Sequence, residues 1–323
     1  MVINTKSIWL TWENQPRNRG IARFLNIPLF EFVHDDKAII IRYCFCLFQT
    51  IKAFSIIHPK IAVVQNPSLI LALLAICLKP IYRHKLIIDA HNVGLRPMDG
   101  RSGLLMLLSR WIQRKANLII VTNEVLKHEV EQNHGKAFIL PDKLPEKQVV
   151  GQRLELEKEI RIVFVCSFKK DEPYWEVFKA AKLLSKQICI YVTGCYPISL
   201  NTSELSSNIK LLGYLSIDNY WELLESAHAI MDLTTREDCL VCGAYEGTSL
   251  GKPLILSNTN ALRTYFNKGC VYSDSTGEAI ANAINELISN YNCLRSEMMV
   301  LINELTIDWN QRANDLILAI NSL

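Results

Sequence analysis

The sequence predicts an α/β protein built from two doubly wound, Rossmann-like domains. Three observations carry that expectation. Short apolar runs such as Ile61-Ala-Val-Val64, Lys85-Leu-Ile-Ile-Asp-Ala90 and Ile160-Arg-Ile-Val-Phe-Val-Cys166 alternate with longer helical stretches, the signature of parallel strands buried on both faces. The chain has 323 residues, more than one small core organises comfortably. The alternation stops over residues 141–159, a polar, charged stretch without apolar periodicity, and then restarts.

In the first half, Ser7-Ile-Trp-Leu-Thr-Trp12 reads as a strand, followed by a polar, basic loop over 13–20 and a helix from Ile21. Residues 38–57 are apolar but interrupted by Arg42, Gln49 and Lys52, which fits an amphipathic or a buried helix with basic edges. Strand Ile61–Val64 leads through Asn66-Pro67 into a helix. Its apolar stretch, 68–78, is about half the length a membrane-spanning helix needs and is closed by Lys79-Pro80. Lys85–Ala90 is the third strand. After the loop 91–100 come a helix to about Lys115, strand Asn117-Leu-Ile-Ile-Val-Thr122, a helix to about His134, and strand Ala137-Phe-Ile-Leu140. These elements make a domain over 1–150. The second, over 151–305, has strands at 160–166, 188–193, 209–212, 229–233 and 254–256 and a last short one at 271–272, with helices near 174–184, 219–226 and 278–290. A terminal helix over 306–323 is expected to pack back on the first domain. In open sheets of this kind ligands bind at the carboxyl ends of the strands, so the cleft between the domains is the expected site.

The net charge of +3 hides an asymmetry: residues 1–150 carry 20 Lys/Arg against 11 Asp/Glu, and residues 151–323 carry 15 against 21. A basic first half points to an anionic partner, either a membrane surface or a lipid phosphate, with nucleic acid disfavoured because no basic-aromatic module accompanies it. Lys37, Arg42, Lys52 and Lys60 would serve a membrane contact. The ten cysteines sit mostly in apolar runs, as packing thiols do, and no secretory signal opens the chain; a cytoplasmic location is expected, with contact at the inner face of the cytoplasmic membrane. Cys239-Leu-Val-Cys242 has C-x-x-C spacing without a second pair or a His pair, which favours packing over zinc or redox chemistry. No Asp-x-Asp motif is present, so neither a metal nor a cofactor is expected.

The most informative stretch runs from Leu233-Thr-Thr-Arg-Glu-Asp-Cys-Leu-Val-Cys-Gly through Glu246 to Gly251-Lys-Pro-Leu-Ile-Leu-Ser257. It reads as strand end, loop, helix, tight stop and strand. Asp238 is the residue type suited to cap the helix, Gly251 suits a left-handed stop, and Pro253 follows where a helix cannot continue. A helix N-terminus can hold an anion, and a carboxylate about two turns in can accept hydrogen bonds from a sugar diol, an arrangement suited to a nucleoside diphosphate. The same pattern would also serve an ordinary loop–helix–strand unit with Glu246 on a solvated face.

Taken together these residues resemble the GT-B glycosyltransferases, in the style of family 4 and related bacterial polysaccharide enzymes. That family's Glu, seven residues, Glu is matched by Asp238 and Glu246, with aspartate in the first place, and its Gly-x-Pro by Gly251-Lys-Pro253. In the first domain Val64-Gln-Asn-Pro-Ser68 and Ile88-Asp-Ala-His-Asn92 are similar to segments of the β-mannosyltransferases that extend dolichol-linked chitobiose. The resemblance implies that Glu246 holds the donor ribose, that Asp238 lies near the donor sugar, and that Val241, Cys242 and Gly243 meet the diphosphate. It also implies that Lys169 or Lys170 neutralises the departing diphosphate, and that Thr193, Gly194, Leu215 and Thr235 border the donor. His91 or Asp89 is the candidate base. The loop residues Asn14, Arg17, Asn18 and Arg19, with Asn92, are candidates for the acceptor.

The expected function is transfer of a sugar from a nucleotide-sugar donor to a carbohydrate acceptor, favoured to be lipid-diphosphate-linked. The rivals are a nucleotide-sugar 2-epimerase, which needs acids around the sugar, and a non-catalytic partner subunit, suggested by aspartate at 238 and by the lack of an arginine in the 167–170 loop.

Overall fold

The computed structural model describes residues 3, 6–66, 68–146 and 160–323; Pro67, residues 147–159 of the expected linker and the expected boundary at 150/151 lie outside that set. Contacts group Met1–Lys143 with Asp308–Leu323 in one compact unit and Leu144–Ile307 in another.

The first unit runs β1 (Ser7–Thr11), α1 (Pro16–Leu25), β2 (Leu29–Glu31), α2 (Ile39–Ile57), β3 (Ile61–Asn66), α3 (Leu69–Tyr82), β4 (Lys85–Ala90), α4 (Asn92–Leu95), α5 (Gly103–Lys115), β5 (Leu118–Val121), α6 (Glu124–Gln132) and β6 (Ala137–Ile139). Its strands pair in the order β2-β1-β3-β4-β5-β6, every pairing parallel. Strand side chains alternate between faces. Ile8, Leu10, Val64 and Ile88 therefore meet Phe54 of α2, Leu71 of α3 and Ile112 of α5, while Trp9, Val63, Ile87 and Ile120 meet Ile21 and Leu25 of α1. Ser68, Ser102 and Asn123 cap α3, α5 and α6 by accepting the N–H three residues on, each worth about 1 kcal/mol.

The second unit runs β7 (Ile160–Phe164), α7 (Tyr174–Leu183), β8 (Ile188–Thr193), β9 (Ile209–Gly213), α8 (Ile217–Ser226), β10 (Ala229–Asp232), α9 (Cys242–Ser249), β11 (Leu254–Ser257), α10 (Asn260–Tyr265), β12 (Cys270–Ser273), α11 (Gly277–Ser289) and the start of α12 (Tyr291–Asn321). The order is β12-β11-β10-β7-β8-β9, again parallel throughout. Met298, Leu301 and Leu305 of α12 enter the second unit's core. The end of the same helix belongs to the first unit: Trp309, Ala313, Leu316 and Ile317 pack with Trp9 and Ile21, and Trp309 Nε1 donates to the Pro141 carbonyl at 3.0 Å.

Both sheets are doubly wound. In the first, the chain leaves β1 for β2 on one side and returns to β3 on the other. In the second, it leaves β7 for β8 and β9 and returns to β10. Such reversals open a crevice at the carboxyl ends of the strands, which is where a ligand fits. Three of these elements were not foreseen, one of them the four-residue α4 inside the expected loop 91–100. Strand β2 is three residues on a sheet edge after Pro28, and α10 is six residues long; neither is long enough to show a period.

Candidate active site

In the second sheet the loops leaving β7 and β10 are tied together at the reversal. Thr234 Oγ1 donates to Asp171 Oδ2 at 3.3 Å, the Thr235 N–H donates to the Asp171 carbonyl at 2.7 Å, and Arg236 Nε pairs with Asp171 at 3.2 Å. Thr235 is exposed, and its hydroxyl also bonds the Asp171 carbonyl. Lys169 and Lys170 lie in the loop after β7, both exposed, with no ion-pair partner among the described residues. Their loop is folded around Glu172, whose carboxylate accepts from the Ser167 N–H and hydroxyl and from the Lys169 N–H at 2.7–2.9 Å.

Helix α9 begins later than the sequence suggests. Its N-cap is Val241, with no side-chain cap, so Asp238 neither caps nor starts it; Asp238 is buried in the preceding loop. The reason is Asp232, a residue the sequence reading overlooked. From the end of β10 its Oδ2 accepts the Gly243 N–H at 2.7 Å and takes the part a cap would play. A Cβ on Gly243 would come within 2.7 Å of that oxygen and 2.9 Å of Val165, and one on Gly247 within 2.5 Å of Leu254, so small residues let α9 lie close on the sheet. Gly251 takes the expected left-handed conformation at the stop. Asp232 is buried, and burial foremost raises its pKa well above the usual carboxylate value, with Glu246, Glu172 and Asp171 adding to the rise. Cys242 is exposed and Val241 buried beside it.

Glu246 lies in the middle of α9, half-buried, and accepts the Tyr220 hydroxyl of α8 at 2.5 Å. Burial raises its pKa, and the tyrosine hydrogen bond partly opposes the rise. Its second oxygen has no partner among the described residues, which leaves an acceptor for a ligand hydroxyl. Thr193 and Gly194 are at the same rim but are structural. The buried Thr193 Oγ1 accepts the Cys166 N–H at 3.1 Å, and Gly194, at φ +87°, passes so close to the Cys166 carbonyl that a Cβ would lie 2.1 Å from it. The Thr193 side chain is thus spent on the backbone rather than turned to a ligand. Leu215 is half-buried against the core.

In the first sheet two candidates cancel each other. Arg17 and Asp89 form a buried ion pair: Nε reaches both carboxylate oxygens at 3.1 Å and Nη2 reaches Oδ1 at 2.9 Å. The guanidinium also bonds Asp142 and, at 2.9 Å, the Leu140 carbonyl. The side chains are 5% and 0% exposed. Burial disfavours the charge on Arg17, but Asp89 and Asp142 outweigh it and hold the guanidinium protonated. A carboxylate paired on both oxygens is poorly placed to act as a base, and a buried guanidinium with all three nitrogens engaged has little left for an acceptor, so both readings are corrected to a structural clamp. Arg19 is exposed and paired with Glu31 at 3.0 Å; Asn14 is exposed and Asn92 half-buried. His91 sits at the N-cap of α4, its N–H bonded to the Asn66 carbonyl at 2.9 Å. Its Nε2 is buried and without a partner, as are Asn66 Oδ1, Gln65 Nε2 and Asn18 Nδ2. Gln65 and Asn66, at the end of β3, were not foreseen as candidates; their signal is a pair of amides closing an otherwise apolar strand.

Two parallel sheets with these reversals have counterparts among solved structures. HepE from Anabaena, in complex with UDP and glucose, is 12% identical over 99% of this chain and 100% of its own, with a TM-score of 0.76. Sucrose-phosphate synthase from Thermosynechococcus elongatus is 13% identical over 97% and 100%, with a TM-score of 0.75. A putative UDP-N-acetylglucosamine 2-epimerase from Listeria monocytogenes is 12% identical over 98% and 96%, with a TM-score of 0.63. The fold is GT-B. No protein-family model and no curated protein matches the chain.

Within this GT-B chain the remaining candidates are cysteines. All ten are free. Burial pushes the Cys239 thiol up to about 12, so it stays protonated near neutral pH and is a poor nucleophile or metal ligand. Among the described residues no group of three or more His, Cys, Asp or Glu is placed to hold a metal.

Proposed function

We propose that the protein is a glycosyltransferase that takes a sugar from a nucleoside-diphosphate donor and passes it to a carbohydrate acceptor carried on a lipid diphosphate, in the assembly of a surface polysaccharide or related glycan. The observation that carries this reading is Glu246, half-buried on α9, fixed by Tyr220 through one oxygen and with the other oxygen without a partner among the described residues. A ribose diol donates two hydrogen bonds, and a carboxylate so placed accepts them. The exposed ammonium groups of Lys169 and Lys170 follow β7 and stabilise charge growing on the leaving diphosphate. Val241 and Cys242 meet the phosphates from the start of α9. His91, at the end of β4, is the candidate base, since its Nε2 has no partner among the described residues. The chemistry drawn here uses no resident metal or cofactor. The HepE structures with UDP and UDP-glucose support the donor class, and the lipid-linked acceptor rests on the sequence resemblance of Val64–Ser68 and Ile88–Asn92 to β-mannosyltransferases.

Epimerases of the same fold keep a second reading in view. The acids Asp171, Glu172, Asp232 and Glu246 at one rim are what proton removal from a sugar would require. Incubation with uridine and guanosine diphosphate sugars, one at a time, separates the two. A transferase releases diphosphate slowly without acceptor and leaves the sugar's stereochemistry intact, whereas an epimerase converts it. Failure to bind any donor by calorimetry would overturn both and favour a non-catalytic partner.

A further inference from the structure

Helices α2, α3 and α5 form one layer on one face of the first sheet. Each buries a stripe in the same core: Phe54 of α2, Leu71 of α3 and Ile112 of α5 share it with Leu10, Val64 and Ile88 of the strands. Their outer surfaces are apolar as well. Ile40 is 75% exposed and Phe48 67% on α2, Ile81 69% on α3, and Leu104 78% on α5. Soluble surfaces scatter such residues singly; here they recur on three neighbouring helices, and an accumulation of this kind marks an interaction face.

The charge on these helices is one-sided. Across their 19, 14 and 13 residues there is no Asp or Glu, whereas Arg42, Lys52, Lys79, Arg110, Arg114 and Lys115 are present. The acids nearest in sequence are Asp35 and Asp36 just before α2, paired with Arg42 and Lys37, and Asp99, exposed four residues before α5. Elsewhere on the same unit α6 carries Glu124, Glu129 and Glu131; α1, on the other face of the sheet, also lacks Asp and Glu, but Arg17 is buried and Arg19 is paired with Glu31.

From this we infer that the outer face of α2, α3 and α5 docks on an anionic lipid bilayer, with the apolar side chains entering the interfacial region and the cations meeting the headgroups. Helix α2 is long and apolar enough to cross a bilayer by length and composition. It lies on the surface instead, because Cys46, Thr50, Ala53 and Phe54 hold its other side in the sheet's core. A second copy of the chain is a poorer occupant: a two-fold interface would set this all-cationic face against itself, whereas anionic headgroups complement it. The proposal stands on this surface alone and does not depend on the donor reading.

The test uses the full-length protein and vesicles of phosphatidylcholine, alone or mixed with phosphatidylglycerol. Sedimentation with the mixed vesicles is expected to be at least about tenfold stronger than with the neutral ones and to weaken as salt is added. Phe48→Gln with Ile40→Gln, both exposed and so not needed for folding, should abolish it with an unchanged circular dichroism spectrum. Lys52→Gln with Arg110→Gln and Arg114→Gln should remove the preference for the anionic lipid. Equal binding to both vesicle types, or none to either, overturns the proposal. So does a concentration-dependent dimer in light scattering that Phe48→Gln dissolves, since a second copy would then own the face. Calorimetry with nucleotide sugars in parallel is read separately: vesicle binding without donor binding keeps this surface and removes the transferase reading, and the converse does the opposite.

Discussion

At the carboxyl rim of the first sheet, Asp89 is answered by Arg17, which also donates to Asp142 and to the Leu140 carbonyl. At the carboxyl rim of the second, Asp232 is answered by one backbone N–H and, among the described residues, by no cation. Both carboxylates end a parallel strand, and both are buried. The difference lies in compensation. A buried charge whose hydrogen-bonding capacity is filled is a structural tie, and its neighbourhood has little left to offer a ligand. A buried carboxyl kept without a counter-charge among the described residues, and coupled to Glu246, Glu172 and Asp171, is the kind of perturbed cluster that functional sites accumulate. Position in the fold alone therefore does not separate scaffold from site; the completeness of the partners does.

The sharpest way to break the comparison is to unpair the clamp. Arg17→Met leaves Asp89 and Asp142 without their cation and is expected to cost about 3–5 kcal/mol of stability, read as a fall in denaturation midpoint. Adding Asp89→Leu to Arg17→Met should recover much of that loss, since a well-packed apolar pair often replaces a buried ion pair. If Arg17→Met instead leaves stability intact and removes acceptor use, the clamp is a binding element and the contrast collapses.

At the second rim the effects should fall on ligand use rather than on folding. Glu246→Ala is expected to weaken donor binding at least tenfold, about 1.4 kcal/mol, in calorimetry, with Tyr220→Phe smaller because it removes only the support of one oxygen. Glu246 must be ionised to accept two hydroxyls, and its pKa is raised above 4.5, so donor affinity should fall on acidification sooner than for an ordinary glutamate. Affinity flat across that range would place the ribose elsewhere. Lys169→Ala with Lys170→Ala should lower kcat by about tenfold or more while leaving KM closer to parent, as expected for groups that act on charge appearing in the transition state. A loss confined to KM would make them ground-state contacts.

How much of this was legible in the sequence follows from which signals are local. Strands such as Lys85–Ala90 and Ile188–Thr193 emerged with the expected ends, because an apolar run and its flanking breakers are written in one place. Glu246 on a short helix stopped by Gly251 was legible for the same reason. The start of α9 was not. Asp238 has the right chemistry for a cap, but the oxygen that meets the helix comes from Asp232, across a loop that sequence spacing does not describe. Arg17 and Asp89 were each noticed singly; that they are each other's partner depends on the fold bringing together positions 72 apart in the chain. The edge strand β2 was invisible because three residues cannot display a period of two convincingly.

The smallest expected effect bears most directly on why the two rims differ. Asp232→Asn keeps an oxygen to accept the Gly243 N–H and removes only the ionisable proton. In the folded protein the Asp232 pKa lies well above its ordinary 3.8. A raised carboxyl pKa means the fold prefers the protonated form, so the associated stability is fully present below the unfolded value and is lost as pH rises through the folded one. The variant escapes that loss. The melting temperature of Asp232→Asn should therefore gain on the parent as pH is raised from acidic to neutral, while the two run closest in acid. For Asp89→Asn the charge is matched by Arg17, and substitution should destabilise across the neutral range instead. If both aspartates respond to pH in the same direction, compensation is not what distinguishes the two rims, and the second sheet's claim to be the reactive one would have to rest on Glu246 and the lysines alone.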